Sequence, residues 1–167
     1  MKSFGMTIRP YQEQDWPFVW RIIKPVFRAG ETYAFSPDIS EEQARQIWIE
    51  KPEITFVAVG EDSNILGTYY IKPNQPTLGA HVCNCGYIVA EGARRRGIAS
   101  AMCEHSLHEA ATRGYRAMQY NLVVSTNDTA VQLWEKHGFE IIGTLPKSFR
   151  HSRLGYVDAH VMYKQLV

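Results

Sequence analysis

The sequence predicts a mixed α/β fold, a mostly antiparallel central sheet flanked by about four helices. Three observations lead to it. Strand-length runs rich in β-branched and aromatic residues, such as ITFVAV and ILGTYYI, alternate along the chain with apolar stripes at helical spacing. The breaks between them carry the Gly, Pro, Asn and Asp that turns require. The 167 residues, 45% hydrophobic and 21% charged, suit one packed domain with neither disorder nor a fibrous repeat.

Residues 7–9 read as a short first strand. Asp15 then offers a helix N-cap with Pro17 in the first turn, and Val19, Ile22, Ile23 and Val26 make one core-facing stripe. Ser40 and Gln43 form an S-x-x-Q capping box ahead of a second amphipathic helix, which carries Ala44, Ile47 and Trp48 and stops at Pro52. Residues 54–59 and 65–71 are strands joined by the turn residues 60–64, so an antiparallel pair is expected. The Pro-, Asn- and Gly-rich stretch 72–79 is a loop leading to a strand at about residues 82–89.

A third helix starts near Gly97, with Ala99, Met102, Cys103, Leu107, Ala110 and Ala111 on its spacing, and ends near Gly114. Residues 118–124 are the next strand, and Asn127 and Asp128 open a fourth helix whose inner stripe is Ala130, Leu133 and Trp134. Residues 139–143 and 156–163 close the sheet as strands. All of residues 1–167 form one domain with no internal repeat.

A net charge of +1 argues against broad attraction to nucleic acid, which needs a basic face to neutralise several phosphates. The apolar runs are strand-sized, far short of the roughly 20 residues that span a bilayer, and MKSFGMTIRP has no apolar secretory core, so a cytoplasmic protein is expected. Cys83, Cys85 and Cys103 are an odd count in that setting and read as free thiols. No metal is expected: the C-x-C pair beside His81 lacks the spacing of a structural zinc site.

The most informative stretch is VAEGARRRGIAS, residues 89–100, which joins a strand end to a helix start through a small basic turn. Free amides at a helix N-terminus carry partial positive charge and can hold a pyrophosphate. The turn lacks G-x-G-x-x-G and G-K-[ST], so dinucleotides and ATP are poorly supported. It resembles the acetyl-CoA signature of the GNAT superfamily, R-x-x-G-x-G/A, with Arg94, Gly97 and Ala99 in matching places. NDTAVQLWEKHGF, residues 127–139, is similar to that family's N-x-x-A-x-x-L-Y-x-x-x-G-F block. Both blocks stand in the family's order, and the resemblance covers nearly the whole chain.

The resemblance implies an acetyl-CoA-dependent N-acetyltransferase with splayed central strands. The amides of Arg95, Arg96, Gly97, Ile98, Ala99 and Ser100, with Arg94, would hold the CoA pyrophosphate, and the backbone of Tyr87, Ile88 and Val89 would pair with the pantetheine arm. The usual Tyr that protonates the departing thiolate is replaced by Trp134, whose indole N–H is no practical acid; either another hydroxyl, from Thr129, Tyr33, Tyr120 or Tyr156, or water serves, or the thiolate leaves with little help.

No Glu base stands in the strand at 82–89, where Asn84 holds a polar position, and Asn121 sits on the following strand. Two asparagines on neighbouring central strands need partners. Together with Gly30-Glu31-Thr32-Tyr33 they resemble the branch that acetylates azetidine-2-carboxylate and related proline analogues. By that resemblance Asn84 and Asn121 would orient the acceptor, Asn127 would hold cofactor or substrate, and Glu31, Thr32 and Tyr33 would line the entrance. The expected partner is a small-molecule amine, with a peptide acceptor or a noncatalytic acyl-CoA sensor as alternatives, and a homodimer fits the family habit.

Overall fold

The computed structural model of the chain describes residues 5–167. Residues 1–4, part of the N-terminal segment read above as lacking a secretory core, lie outside the described residues. In chain order the elements are β1 (Met6–Pro10), α1 (Trp16–Ala29), α2 (Glu41–Arg45), β2 (Ile54–Gly60), β3 (Ile65–Pro73), β4 (Val82–Val89), α3 (Ile98–Thr112), β5 (Ala117–Val124), α4 (Asp128–Lys136), β6 (Glu140–His151) and β7 (Gly155–Gln165). Seven strands form one sheet in the order β1-β2-β3-β4-β5-β7-β6. Every neighbouring pair is antiparallel except β4 and β5, so the expected mixed, mostly antiparallel sheet with four helices is present.

Strand alternation sorts the side chains into two cores. On one face α1, α2 and the turn that follows α2 bury Val19, Ile23, Phe27, Ala44 and Trp48 against Val57, Tyr70 and Ile88. On the other, α3 and α4 bury Met102, Cys103, Ala110 and Trp134 against Phe56, Tyr69, Ile71, Cys83 and Cys85. Each fully buried large apolar side chain contributes roughly 1.5–3 kcal/mol relative to exposure.

Several local expectations are modified. Asp15 precedes α1, but its carboxylate makes no cap bond to that helix. It accepts instead from Arg9 Nη1 and Nη2 at 2.8 and 2.9 Å and from the Gln12 N–H at 2.8 Å, tying β1 to the turn before the helix. Phe27, four residues beyond Ile23, is the buried end of the α1 stripe, whereas Val26 is half-buried. The helix continues through Pro25 because that residue sits on the exposed side, and Gly30 ends it in the left-handed region at φ 64°.

The Ser40–Gln43 capping box forms, with both bonds at 3.1 Å. Beyond α2 the chain widens into a π turn, residues 46–50, closed by Lys51 N–H donating to Gln46 O at 2.9 Å. That turn places Trp48 in the core with its indole N–H on Thr68 Oγ1 at 3.1 Å. The strand expected at 139–143 runs on to His151. Gly143 and Pro146 read as breakers, but β6 is an edge strand, where a missing N–H is tolerated, and its pairing with β7 absorbs both through two register shifts.

Candidate active site

The sheet opens at its centre. β4 and β5 pair only at Val82 with Ala117 and Cys83 with Met118. The next rung is made by a side chain, Asn84 Nδ2 donating to Gln119 O at 3.0 Å, and from there the β5-facing edge of β4 is released. On that edge the Tyr87 peptide is held by one hydroxyl: its N–H donates to Tyr33 Oη at 2.9 Å, and Tyr33 Oη donates to its carbonyl at 2.9 Å. Tyr33 comes from the loop between α1 and α2, and burial pushes its phenol well above the ordinary value.

At the vertex of the opening lies a chain of amides. Asn84 is 8% exposed, and its neighbours Cys83 and Cys85 face the opposite core. Gln119 Nε2 donates to Asn121 Oδ1 at 3.0 Å, and Asn121 Nδ2 donates to Asn74 Oδ1 at 2.7 Å. The structure thus brings Asn84 and Asn121 together, linked by Gln119. Strand periodicity could have found Gln119, which lies two residues before Asn121 and so shares its face; nothing in the sequence pointed to Asn74.

The basic turn after β4 bends through two left-handed residues, Arg95 at φ 63° and Gly97 at φ 78°. A positive φ at arginine is strained and is tolerated where the surroundings require it. The first bond into the helix comes from Ala101 N–H to Gly97 O at 3.0 Å, so the N–H groups of Ile98, Ala99 and Ser100 have no main-chain partner among the described residues. Arg94, Arg95 and Arg96 are exposed. A Cβ at Gly97 would meet nothing within 4 Å, so an anion can approach the turn closely. Ser100 Oγ shares a hydrogen with His137 Nε2 at 2.7 Å, fastening the start of α3 to the end of α4. Asn127 caps α4, accepting the Ala130 N–H at 3.3 Å.

Beside Tyr33 a cavity of about 440 Å³ separates the α1–α2 loop from the end of β6, lined by Tyr33, Phe35, Ser36, Phe149, Arg150 and His151 among others. Glu31 accepts from Arg153 Nε at 2.7 Å and ties that loop to the β6–β7 turn. Thr32 is half-buried on the same loop. The sequence reading missed the β6 contribution, because S-F-R-H-S-R has neither helical nor strand periodicity and reads as a solvated loop.

Residues 16–139 match the acetyltransferase (GNAT) family. The chain belongs to that family. It is therefore an N-acetyltransferase that uses acetyl-CoA, and the free amides, left-handed turn and open β4 edge fit such a co-substrate. A solved GCN5-related N-acetyltransferase from Kribbella flavida is 41% identical, with a TM-score of 0.91 over 96% of this chain and 98% of that one. The N-acetyltransferase aca1 of Schizosaccharomyces pombe is 32% identical across 66% of this chain but only 53% of its own length. The L-amino acid N-acetyltransferase AaaT of Escherichia coli is 28% identical across 94% of this chain and 96% of its own.

For this GNAT chain the hydroxyl candidates separate by position. Thr129 is exposed on α4, and Tyr156 is 67% exposed opposite Arg150 on β7. Tyr120 belongs to a buried relay: its hydroxyl donates to Tyr87 Oη at 3.0 Å, which pairs with Ser106 Oγ at 2.6 Å, which donates to Cys103 O at 2.7 Å. Burial raises both tyrosines. Trp134 covers this relay, its ring 4.9 Å from those of Tyr87 and Tyr120. Of the four, Tyr33 alone meets the open edge of β4.

Burial pushes the Cys103 thiol up to about 12 and raises Cys85 as well, which removes both as thiolate nucleophiles near neutral pH. His105 is held by Tyr69 Oη at 2.6 Å, with its pKa lowered by burial. Among the described residues no group of three or more His, Cys, Asp or Glu side chains is placed to hold a metal ion, and no helix is long and apolar enough to cross a membrane.

Proposed function

We propose that this enzyme moves the acetyl group of acetyl-CoA directly to the amine of a small molecule, an amino acid or proline analogue being the narrower expectation. One observation carries the reading: Tyr33, whose hydroxyl holds the Tyr87 peptide on the open edge of β4, also lines a cavity of about 440 Å³, within the ~300–1,000 Å³ range of small-molecule sites. A cavity of that size beside the acyl position suits a compact acceptor. The name of the Escherichia coli relative, an L-amino acid N-acetyltransferase, supports the same class.

Bound acetyl-CoA supplies an activated thioester. In this reading Arg94, Arg95, Arg96 and the amides of Gly97, Ile98, Ala99 and Ser100 take its pyrophosphate, while the backbone of Tyr87, Ile88 and Val89 takes the pantetheine arm. Asn84 and Asn121 orient the acceptor, whose ammonium gives its proton to water before attack, so that the nitrogen bonds to the acetyl carbon as the C–S bond breaks and its remaining extra proton passes to solvent; positioning alone can supply ~7–11 kcal/mol of barrier lowering. Tyr33, kept protonated by burial, is the hydroxyl placed to meet the departing thiolate. Asn127, whose oxygen caps α4, keeps its amide NH₂ for the co-substrate. The buried free cysteines support the cytoplasmic expectation.

The test is CoA release from acetyl-CoA across a panel of amino acids, azetidine-2-carboxylate, phosphinothricin-like amines and short peptides. Turnover of free amino acids, reduced at least tenfold in Asn121→Ala with acetyl-CoA binding intact, is the expected result. Faster acetylation of peptides would move the assignment to a protein acceptor, and acetyl-CoA binding without turnover to an acyl-CoA sensor.

A further inference from the structure

We propose that Gln119 and Asn74 are positioning residues that hold the Asn121 amide in one direction, so that the acceptor meets its lone pair at the Gln119 end and its N–H at the Asn74 end. The inference rests on the reading of Asn121 as a contact of the acceptor and adds what sets the orientation of that contact.

The amides meet on one face of the sheet. Met118 and Tyr120 enter the core beneath α3 and α4, as do Cys83 and Cys85. Strand alternation therefore turns Asn84, Gln119 and Asn121 to the other face. Gln119 touches both asparagines: its main-chain oxygen accepts from Asn84 Nδ2 at 3.0 Å, and its Nε2 donates to Asn121 Oδ1 at 3.0 Å. Asn74 lies one residue beyond the Pro73–Cys83 pair, where its N–H donates to Val82 O at 2.8 Å and fixes its backbone to β4. From there its Oδ1 accepts from Asn121 Nδ2 at 2.7 Å.

Asn121 is exposed, so water could replace either bond at little cost to the fold. What the two contacts add is direction. A side-chain amide turned over exchanges its oxygen and its nitrogen, and each of those ends has two hydrogen-bonding sites. With one lone pair taken by Gln119 and one hydrogen given to Asn74, Asn121 keeps one lone pair at the first end and one N–H at the second. The lone pair suits an amine N–H, and the N–H suits a carbonyl or carboxylate oxygen. The amine is thereby set toward Gln119, the residue just past the Cys83–Met118 pair, where β4 and β5 begin to part.

Two isosteric changes read the direction. Asn74→Asp leaves an oxygen to accept the Asn121 N–H, whereas Gln119→Glu removes the donor that Asn121 Oδ1 takes. Each adds one negative charge to the same network, so the effect of charge is shared. CoA release is measured on the best amine of the panel for both variants, for Asn74→Ala and Gln119→Leu, and for each in the Asn121→Ala background; melting temperature and acetyl-CoA affinity report that each is folded. Expected are losses of about three- to tenfold in acceptor kcat/KM for Asn74→Ala, Gln119→Leu and Gln119→Glu, recovery in Asn74→Asp, and no further loss in the Asn121→Ala background. Recovery in Gln119→Glu but not in Asn74→Asp, equal behaviour of the two, or losses that persist without the Asn121 amide would overturn the proposal and leave the small-acceptor reading standing. Unaltered turnover in Asn121→Ala overturns the role of Asn121 and the proposal with it. If no small amine is turned over, the small-acceptor reading falls and the comparison passes to the peptides of the panel, where the same pattern supports the positioning pair and its absence overturns it.

Discussion

Tyr33 shows how much one hydroxyl can control. Its oxygen satisfies both polar groups of the Tyr87 peptide on the edge where a thioester arm would pair. A ligand that takes the Tyr87 N–H must release Tyr33, and a typical hydrogen bond is worth about 0.5–1.5 kcal/mol net. Tyr33→Phe should therefore tighten acetyl-CoA binding several-fold by calorimetry while lowering kcat if the hydroxyl also serves the thiolate. Asp15 offers a prediction of another kind. The hydrogen bond from Arg9 holds its carboxyl below the usual range, so it stabilises the fold fully above the unfolded value near 3.9 and loses that contribution as pH falls through the lower folded value. Asp15→Asn should cost about 1–3 kcal/mol at pH 7 by denaturant unfolding, and the difference from wild type should vanish in strong acid.

Among the elements, the turn into α3 and the contact between α4 and the sheet respond to opposite kinds of change. A side chain at Gly97 meets open space, so Gly97→Val acts through the backbone alone, forcing φ 78° on a β-branched residue. A cost of about 1–2 kcal/mol and at least a tenfold loss of acetyl-CoA affinity are expected, measured by thermal melting and titration. Trp134 is 9% exposed against Tyr87, Tyr120 and Phe139. Trp134→Ala should destabilise by ~3–5 kcal/mol through the cavity it leaves beneath the β4–β5 opening.

Over the whole molecule, the seven-stranded sheet joins Met6 to Gln165 and supports the proposal of a single domain. Denaturant unfolding should then be one cooperative transition by circular dichroism and by tryptophan fluorescence alike. β6 is a sheet edge with Ile141, Ile142 and Leu145 at 39%, 59% and 42% exposure, and we propose this strand as the surface of the homodimer that the family resemblance implies. Sedimentation should give a dimer mass for wild type and a monomer mass for Ile142→Glu; a wild-type monomer would discard this interface.

Most of the fold was legible because local signals agreed with tertiary packing: the capping box at Ser40, the hairpin at 60–64 and the glycines at 97 and 138 mark the element ends observed. The basic turn and the block from Asn127 could be proposed as the co-substrate side from sequence alone, because a phosphate cradle is a local construction of consecutive amides. Asn84 and Asn121 were legible as a pair because polar side chains on central strands stand out against an apolar pattern. What depended on three dimensions is the acceptor side. That Tyr33 lands on the Tyr87 peptide 54 residues away, that Gln119 joins the asparagines, and that His151 faces a cavity shared with the α1–α2 loop are contacts between distant segments. No periodicity encodes them, because they follow from how far β4 and β5 part and where β6 ends, and packing of the whole sheet decides both.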